Sequence, residues 1–199
     1  THSDLIYKSK KTKIFGLDKN RYLISIAKKK NPNIYFRNVS LKSIKEKNFD
    51  LVLSMFNVVN YFKDLKNLIF FFREIKNKTS KNSLFIFDAW NGSFNFKSKV
   101  VKEKRIIKNK DFILTNHIES IKTPSSNKVS LNYKIIIDFI KKSKKINIKH
   151  QLIQFLWTPN EINKALILAG FKSVIIKKSF SNKSFTKKDL KLIFLARWI

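Results

Sequence analysis

A carboxylate closes the first of three apolar segments that read as strands of one sheet. These segments are residues 13–18, 49–54 and 83–88. A parallel α/β sheet binds ligands outside the carboxyl ends of its strands, where an acidic residue can accept hydrogen bonds from a ribose. Asp18 is therefore a candidate nucleotide-binding residue, and the pattern predicts an enzyme that uses a cofactor.

Metal chemistry is not expected. The sequence has no cysteine, and its three histidines, His2, His117 and His150, are scattered along the chain. A thiolate site cannot form without cysteine, and a histidine cage needs several ligands that converge. We therefore predict neither a metal ion nor a disulfide.

Strands and helices alternate along the first half of the chain. The spacing of apolar residues predicts helices over residues 21–30 and 64–77, with Asn20 as the cap of the first and Asp64 as the cap of the second. Residues 79–82 read as a turn. The segment 49–54 is almost continuously apolar, which is typical of a strand buried on both faces. This alternation predicts a parallel, doubly wound α/β sheet.

The pattern changes from about residue 99. Alternating strands near residues 112–114 and 129–140 indicate an antiparallel insertion. A cap, a proline and an acid at residues 158–161 begin another helix, which ends at Gly170. Strands near residues 173–176 and 190–196 would close the sheet as a hairpin.

The net charge of +30 arises from 43 Lys and Arg against 13 Asp and Glu. Such a charge favours a polyanionic partner, since lysine and arginine neutralise phosphates. However, the lysines are spread along the chain, arginine is scarce, and Ile, Asn and Phe are also over-used, as A/T-rich codons would produce. We interpret the charge mainly as compositional, so nucleic acid is a conceivable partner but not the favoured one.

No apolar run approaches the roughly 20 residues that cross a bilayer. The chain does not open on a basic and then apolar leader. We therefore expect a soluble, cytoplasmic protein without a membrane partner.

Four segments occur in an order known from one enzyme family: residues 16–20, 49–61, 86–92 and 169–171. In these segments the chain resembles a class I S-adenosylmethionine-dependent methyltransferase, particularly the bacterial small-molecule group that includes sugar N,N-dimethyltransferases. The resemblance covers most of the chain. It implies a Rossmann-like sheet, mostly parallel with an antiparallel last strand, and S-adenosylmethionine as cofactor. The implied reaction is methyl transfer to an N or O atom of a small molecule, for example an amino sugar.

The resemblance also implies which residues bind the cofactor. They are Asp18, Lys19, Val39, Ser40, Ser54, Met55 and Phe56. Asp18 would hold both ribose hydroxyls, and the segment after residue 53 would line the methionine portion. Val39 and Ser40 stand where the family usually has Gly-Asp, so adenine recognition departs from the family's pattern because a hydroxyl is a weaker partner than a carboxylate.

A substrate pocket is expected beyond the strands predicted at residues 49–54 and 83–88. The implied residues are Asn57, Tyr61, Asp88, Trp90 and Asn91. Methyl transfer is an in-line displacement from a sulfonium, so the enzyme mainly aligns the reactants and excludes water. An amine or hydroxyl acceptor also needs a base, and His150 is the candidate because imidazole titrates near neutrality. A structural role for His150 stays open.

The beginning of the chain departs most from the family. The family's glycine-rich loop follows its first strand, whereas the glycines here are Gly16, Gly92 and Gly170, and residues 1–3 resemble the residues after that loop. We therefore expect that the sequence begins inside the cofactor motif, lacks the first strand and binds cofactor poorly. The expected segments are a cofactor-binding core (1–98), an antiparallel insertion that covers the substrate (99–156), and a C-terminal helix with the closing hairpin (157–199).

Two other functions are consistent with the sequence. The charge favours an RNA methyltransferase, but residues 54–57 do not show the Asn-Pro-Pro-Tyr or Asp-Pro-Pro-Tyr type of signature that base N-methylation enzymes carry there. The same charge, with Val39 and Ser40, would suit a non-catalytic RNA-binding protein on a methyltransferase fold. Salt-dependent retention on RNA without cofactor binding would favour this last function.

Overall fold

The computed structural model describes residues 13–94, 100–123, 125–141, 144–179 and 181–199. They belong to two compact units that divide after residue 48. The segment 1–3, which carries part of the resemblance, lies outside the described residues.

The first unit is a strand, a helix and a strand. Its elements are β1 (Phe15–Leu17), α1 (Arg21–Lys30), β2 (Tyr35–Arg37) and a short 3₁₀ helix (Leu41–Ser43). β1 and β2 pair in parallel. Asn20 begins α1, because its side-chain oxygen accepts hydrogen bonds from the backbone N–H groups of Tyr22 and Leu23, which would otherwise lack a partner at a helix start. The predicted strand, acid and helix are therefore confirmed.

The second unit contains two sheets. Its elements are β3 (Phe49–Ser54), a 3₁₀ helix (Val58–Tyr61), α2 (Leu65–Lys78), β4 (Thr79–Trp90), β5 (Val100–Lys108), β6 (Phe112–Lys122), β7 (Lys128–Phe139), β8 (Lys144–Phe155), α3 (Pro159–Leu168), β9 (Ser173–Lys178) and β10 (Lys191–Arg197). The first sheet has the order β3, β4, β10, β9. β3 is parallel to β4, and β10 is antiparallel to both of its neighbours. The predicted antiparallel last strand and closing hairpin are therefore confirmed.

Aromatic side chains fill the space between α2 and this sheet. Phe72 of α2 is fully buried, and its ring lies 5.9 Å from Phe85 and 5.4 Å from Phe87 of β4. Phe87 also stacks on Phe194 of β10 at 4.9 Å. Such pairs contribute about 0.5–1.5 kcal/mol each beyond the burial of their area. This packing fixes β4, whose carboxyl end carries several of the candidate site residues.

Two local predictions are wrong. The apolar run in β3 predicts burial on both faces, but Leu51 and Leu53 are 42% and 38% exposed; the aromatic packing of α2 lies on the face of β4 that carries Phe85 and Phe87. The residues expected to turn at 79–82 instead begin β4, where the register with β3 shifts and Asn82 has a φ of 65°. The turn-forming residues are accommodated by this irregularity within the strand.

The capping residues of α3 behave as the sequence predicts. The Thr158 hydroxyl accepts a hydrogen bond from the Glu161 N–H, and the Glu161 carboxylate accepts one from the Thr158 N–H at 2.8 Å. This reciprocal pair satisfies donors at the helix start. Gly170 follows the helix with a φ of 96°, a left-handed conformation that glycine adopts without a steric penalty.

The second sheet, β5 to β8, is antiparallel throughout, which confirms the predicted antiparallel insertion. Its face that carries Val129 and Leu131 is called the inner face. Both side chains are buried with Leu156, and Trp90 packs against them. One end of the insertion is therefore anchored beside the end of β4. Among the described residues, no helix has the length and apolar character needed to cross a membrane.

Candidate functional site

The loop after β3 has an unusual backbone. Phe56 and Asn57 have φ values of 70° and 59°, in the left-handed region; asparagine enters this region more readily than most residues, whereas a bulky side chain such as that of Phe56 rarely does. Backbone strain of this kind clusters at binding sites and persists only where the surroundings hold it in place. Because β3 and β4 are parallel, this loop lies at the carboxyl edge of the sheet, where α/β folds bind ligands.

Asp88 of β4 holds this loop. Its side chain is only 6% exposed, and its Oδ1 accepts a hydrogen bond from the Asn57 N–H at 2.8 Å. This hydrogen bond satisfies a buried backbone donor and so stabilises the left-handed turn. The role that the structure gives to Asp88 is thus to position Asn57, and its contact with a substrate stays a prediction.

Asn60 connects three elements of the site and was not singled out by the sequence reasoning. Its side chain is fully buried. The Oδ1 accepts from the Trp90 N–H at 3.0 Å, and the Nδ2 donates to the Phe155 carbonyl at 2.7 Å. Asn60 therefore ties the 3₁₀ helix to the ends of β4 and β8. The one signal in the sequence is its position within the segment 49–61.

Two buried polar atoms of the site lack a partner among the described residues. They are the Asn57 Oδ1 and the Trp90 Nε1. Buried polar atoms are nearly always hydrogen-bonded in native proteins. The carbonyl acceptor and the indole donor at this edge are therefore candidate contacts for a ligand or an ordered water.

Tyr133 and His150 lie on the inner face of the insertion sheet. They pair across β7 and β8, and their ring centroids are 6.1 Å apart. Burial raises the pKa of Tyr133, and Tyr61 nearby adds to this effect, so the Tyr133 hydroxyl stays protonated at neutral pH. His150 is exposed. The structure therefore brings Tyr61, Tyr133 and His150 to one region, of which the sequence predicted the first and the last.

An ion pair occupies the same face. The Arg105 Nε lies 2.6 Å from the Glu103 Oε1. The hydrogen bond from Arg105 lowers the pKa of Glu103, so this carboxylate stays ionised. Glu103 of β5 pairs with Ile118 of β6, which in turn pairs with Tyr133 of β7. A charged pair thus borders the aromatic groups.

Asn91 is held in place by its own side chain. It is almost fully buried. Its Nδ2 donates to the Asp189 carbonyl at 2.9 Å, and its Oδ1 accepts from the Ser93 N–H at 3.0 Å. These bonds join the end of β4 to the loop before β10. Substrate binding by Asn91 stays a prediction, and its evident contribution is to this loop.

Asp18 follows β1 in the first unit. Its Oδ1 accepts from the Asn20 N–H at 2.7 Å, and its carbonyl accepts from the Asn38 Nδ2 at 3.0 Å. Asp18 is exposed, and its Oδ2 has no partner within the described part of the chain. One oxygen therefore fixes the helix start, while the other is available to a hydroxyl. This arrangement fits a carboxylate that binds ribose.

The remaining predicted residues differ in exposure. Lys19 is exposed, whereas Val39 and Ser40 are partly buried; the Ser40 hydroxyl lies 2.8 Å from that of Ser43. In the second unit, Ser54 and Met55 are partly buried at the end of β3, whereas Phe56 is 70% exposed. No group of three metal-ligating side chains occurs in the described ranges.

No family model and no curated protein matches this chain. Among solved structures, it is similar to an S-adenosylmethionine-dependent methyltransferase from Clostridium acetobutylicum, with a TM-score of 0.78 and 14% identity over 94% of this chain and 75% of that one.

Two further structures belong to enzymes of sugar chemistry. One is CalS10 from Micromonospora echinaspora, an amino pentose methyltransferase, with a TM-score of 0.74 and 11% identity over 92% of this chain and 73% of that one. The other is KedS8 from Streptoalloteichus, a sugar N-methyltransferase, with a TM-score of 0.75 and 10% identity over 93% and 71%. The chain has the Rossmann-like α/β fold of S-adenosylmethionine-dependent methyltransferases, as the sequence predicted.

Proposed function

We propose that the chain is an S-adenosylmethionine-dependent methyltransferase that acts on an N or O atom of a small molecule. The observation that carries the proposal is the strained loop after β3, which buried Asp88 holds at the carboxyl edge of the sheet. The fold that the chain shares with methyltransferases supports the reaction class. CalS10 is an amino pentose methyltransferase and KedS8 is a sugar N-methyltransferase, which makes an amino sugar the first acceptor to test.

The residues present fit the cofactor. In the first unit, Asp18 offers one free carboxylate oxygen to a ribose hydroxyl, with Lys19 beside it and Val39 and Ser40 as candidate adenine neighbours. In the second unit, the segment of Ser54, Met55 and Phe56 is the candidate for the methionine portion. When bound, S-adenosylmethionine supplies an electrophilic methyl group on a sulfonium.

The chain's own residues would mainly orient the acceptor. The Trp90 indole N–H has no hydrogen-bond partner within the described residues, and the Tyr133 hydroxyl stays protonated and can also donate. Tyr61 lies close enough to Tyr133 to influence its pKa. We assign the inner face of β5 to β8 to covering the acceptor, because exclusion of water strengthens polar interactions in a closed site.

A base is needed to take the proton from an amine or hydroxyl acceptor. We assign this role to His150, because it lies on the inner face beside Tyr133 and imidazole accepts a proton near neutral pH. Tyr133 is unsuited, since burial raises its pKa. Glu103 is bound to Arg105, which disfavours its protonation.

The experiment is a methyl-transfer assay on a panel of amino sugars, read by mass spectrometry. We expect a methylated product, and we expect His150→Asn to lower kcat and flatten the pH–rate profile near neutrality, a loss typically of about 100-fold or more for a general base. His117→Asn is the matched control, since His117 lies on the opposite face of the same sheet.

An unchanged pH–rate profile in His150→Asn would remove His150 as the base. The proposed acceptor class would be contradicted if the protein binds the cofactor product S-adenosylhomocysteine but methylates no amine or hydroxyl acceptor.

A further inference from the structure

The face of the insertion sheet opposite the inner face is rich in lysine; it is called the outer face. Side chains alternate along a strand, and the register therefore places seven lysines on it: Lys102, Lys104, Lys108, Lys128, Lys134, Lys145 and Lys149. The carboxylates on this face are Glu119 and Asp138. Glu119 lies 3.7 Å from Lys102, and Asp138 lies 3.5 Å from Lys145. Both acids are thus already engaged, and the other lysines of this face have no carboxylate partner among the described residues.

One row of this face concentrates the charge. Lys104, His117, Lys134 and Lys149 are paired in register across all four strands, and each of them is exposed. None of the three lysines has an ion-pair partner in the described portion of the chain. Like charges directly opposite each other destabilise a sheet, and Lys134 faces Lys149 directly. An anion bound along the row would relieve this repulsion.

A hollow lies over the same row. It has a volume of about 790 Å³ and is lined by three consecutive rows of the sheet. The first and the third of these rows direct their side chains to the outer face. The middle row contributes the floor, so the hollow opens on the outer face. With strands roughly 4.8 Å apart, the row of four residues spans about 14 Å. This length is enough to contact more than one phosphate of an extended strand.

The geometry points to a binding surface for the phosphate backbone of a single-stranded nucleic acid, centred on Lys104, Lys134 and Lys149. Lysine binds phosphate as a point charge without the planar fork of arginine. The row contains no Trp, Tyr or Phe on which bases could stack. The surface therefore holds the backbone without reading the sequence of bases. A narrow strand can enter the hollow, whereas a flat bilayer surface cannot follow it.

This binding surface lies on the opposite face of the sheet from the proposed methyl-transfer site, although Tyr133 and His150 belong to the middle row that lines the floor of the hollow. Successive side chains of one strand point to opposite faces, so Lys134 and Lys149 lie on the outer face while Tyr133 and His150 lie on the inner face. The surface requires no cofactor. Its test can therefore succeed or fail independently of the proposed enzymatic activity.

The test is fluorescence anisotropy of a labelled 20-nucleotide poly(U) at several KCl concentrations. The variant is Lys134→Gln/Lys149→Gln, and the matched control is Lys187→Gln/Lys188→Gln, an exposed pair in the loop before β10. Each double variant removes two charges. Removal of two phosphate contacts lowers the salt slope by about 1.4 and, at 0.1 M salt, the affinity by about 25-fold. The control changes both quantities far less.

Equal losses of poly(U) affinity in the two double variants would overturn the proposed binding surface, because binding would then follow net charge alone. The same variants should also be tested with vesicles of phosphatidylserine and with polyglutamate. If the loss of Lys134 and Lys149 weakens binding to either of these more than binding to poly(U), the proposed surface is also overturned. A binding loss confined to Lys134→Gln/Lys149→Gln and to poly(U), with unchanged circular dichroism, would support it.

Discussion

The two sheets of the second unit are stabilised in different ways. The sheet of β3, β4, β10 and β9 packs fully buried aromatic rings against α2. The insertion sheet relies on its long strand pairing and is anchored at one end by Val129 and Leu131. Farther along, Ile107 and Ile148 of its inner face are 58% and 43% exposed.

This difference separates two tasks. The packed sheet fixes the edge where Asp88 holds the loop after β3, which requires a rigid element. The insertion sheet presents polar and charged side chains on two faces that can change without disturbing a core. We therefore expect changes in the first sheet to alter folding stability, and changes in the second sheet to alter recognition.

The largest expected effect is the loss of a core ring. Phe87→Ala should lower the free energy of unfolding by about 3–5 kcal/mol, because it removes packing and leaves a cavity. Phe70→Ala is the control, since Phe70 is 51% exposed on α2. Chemical denaturation measures both, and equal losses would contradict the contrast between buried and exposed aromatic residues.

The next effect concerns the link between the two sheets. Asn60→Ala should leave the Trp90 N–H and the Phe155 carbonyl without their partner, at a cost of about 1–3 kcal/mol for each buried group. Faster amide hydrogen exchange should appear at the anchored end of β7 and β8. Asn147→Ala, at an exposed position of β8, is the matched control. Unchanged exchange in Asn60→Ala would show that the hydrophobic cluster alone holds the insertion.

A smaller effect is expected at the inner-face residue Tyr133, which would contact the methyl acceptor. Tyr133→Phe removes a hydroxyl but leaves the ring that packs with the cluster around Leu131. We expect a higher KM for the acceptor with little change in unfolding free energy, since one neutral hydrogen bond contributes about 0.5–1.5 kcal/mol. Steady-state kinetics measures this change. A loss of stability without a change in KM would make Tyr133 a packing residue.

The smallest effect depends on pH. The hydrogen bond from Lys178, followed by that from the Thr186 N–H, lowers the pKa of Asp189. A lowered pKa in the folded state stabilises the protein above the ordinary aspartate range, and this stabilisation disappears as the pH falls through the lowered value. The difference in melting temperature between the natural chain and Asp189→Asn should therefore be present at pH 7 and vanish in acid. A constant difference would contradict the ion pair.

Local signals made much of the fold predictable. Asn20, Asp64 and the pair of Thr158 and Glu161 mark helix starts because capping depends on nearby residues, and the structure shows all of these bonds. Alternation of strands and helices likewise predicted the parallel pairs and the hairpin of β9 and β10.

Register and burial were not predictable in the same way. A shift of one residue would exchange the two faces of β7 and β8, so the sequence alone could not place Tyr133 with His150 or gather Lys134 and Lys149. Asn60 was missed because its partners, the Trp90 N–H and the Phe155 carbonyl, are distant in sequence. These contacts depend on how strands meet in three dimensions.

The central claim is that the chain binds an adenosyl cofactor, and the loop after β3 and Asp18 are each tested as a contact of it. Met55 is the one methionine of the sequence, so ¹³C-methyl labelling gives a single signal at that loop. Titration with S-adenosylhomocysteine should shift the Met55 methyl resonance in a saturable manner. Asp18→Asn should weaken binding about tenfold, as loss of a charge-assisted hydrogen bond predicts, whereas the exposed Asp111→Asn should not. An unmoved Met55 signal, or equal affinity in Asp18→Asn, would contradict the claim.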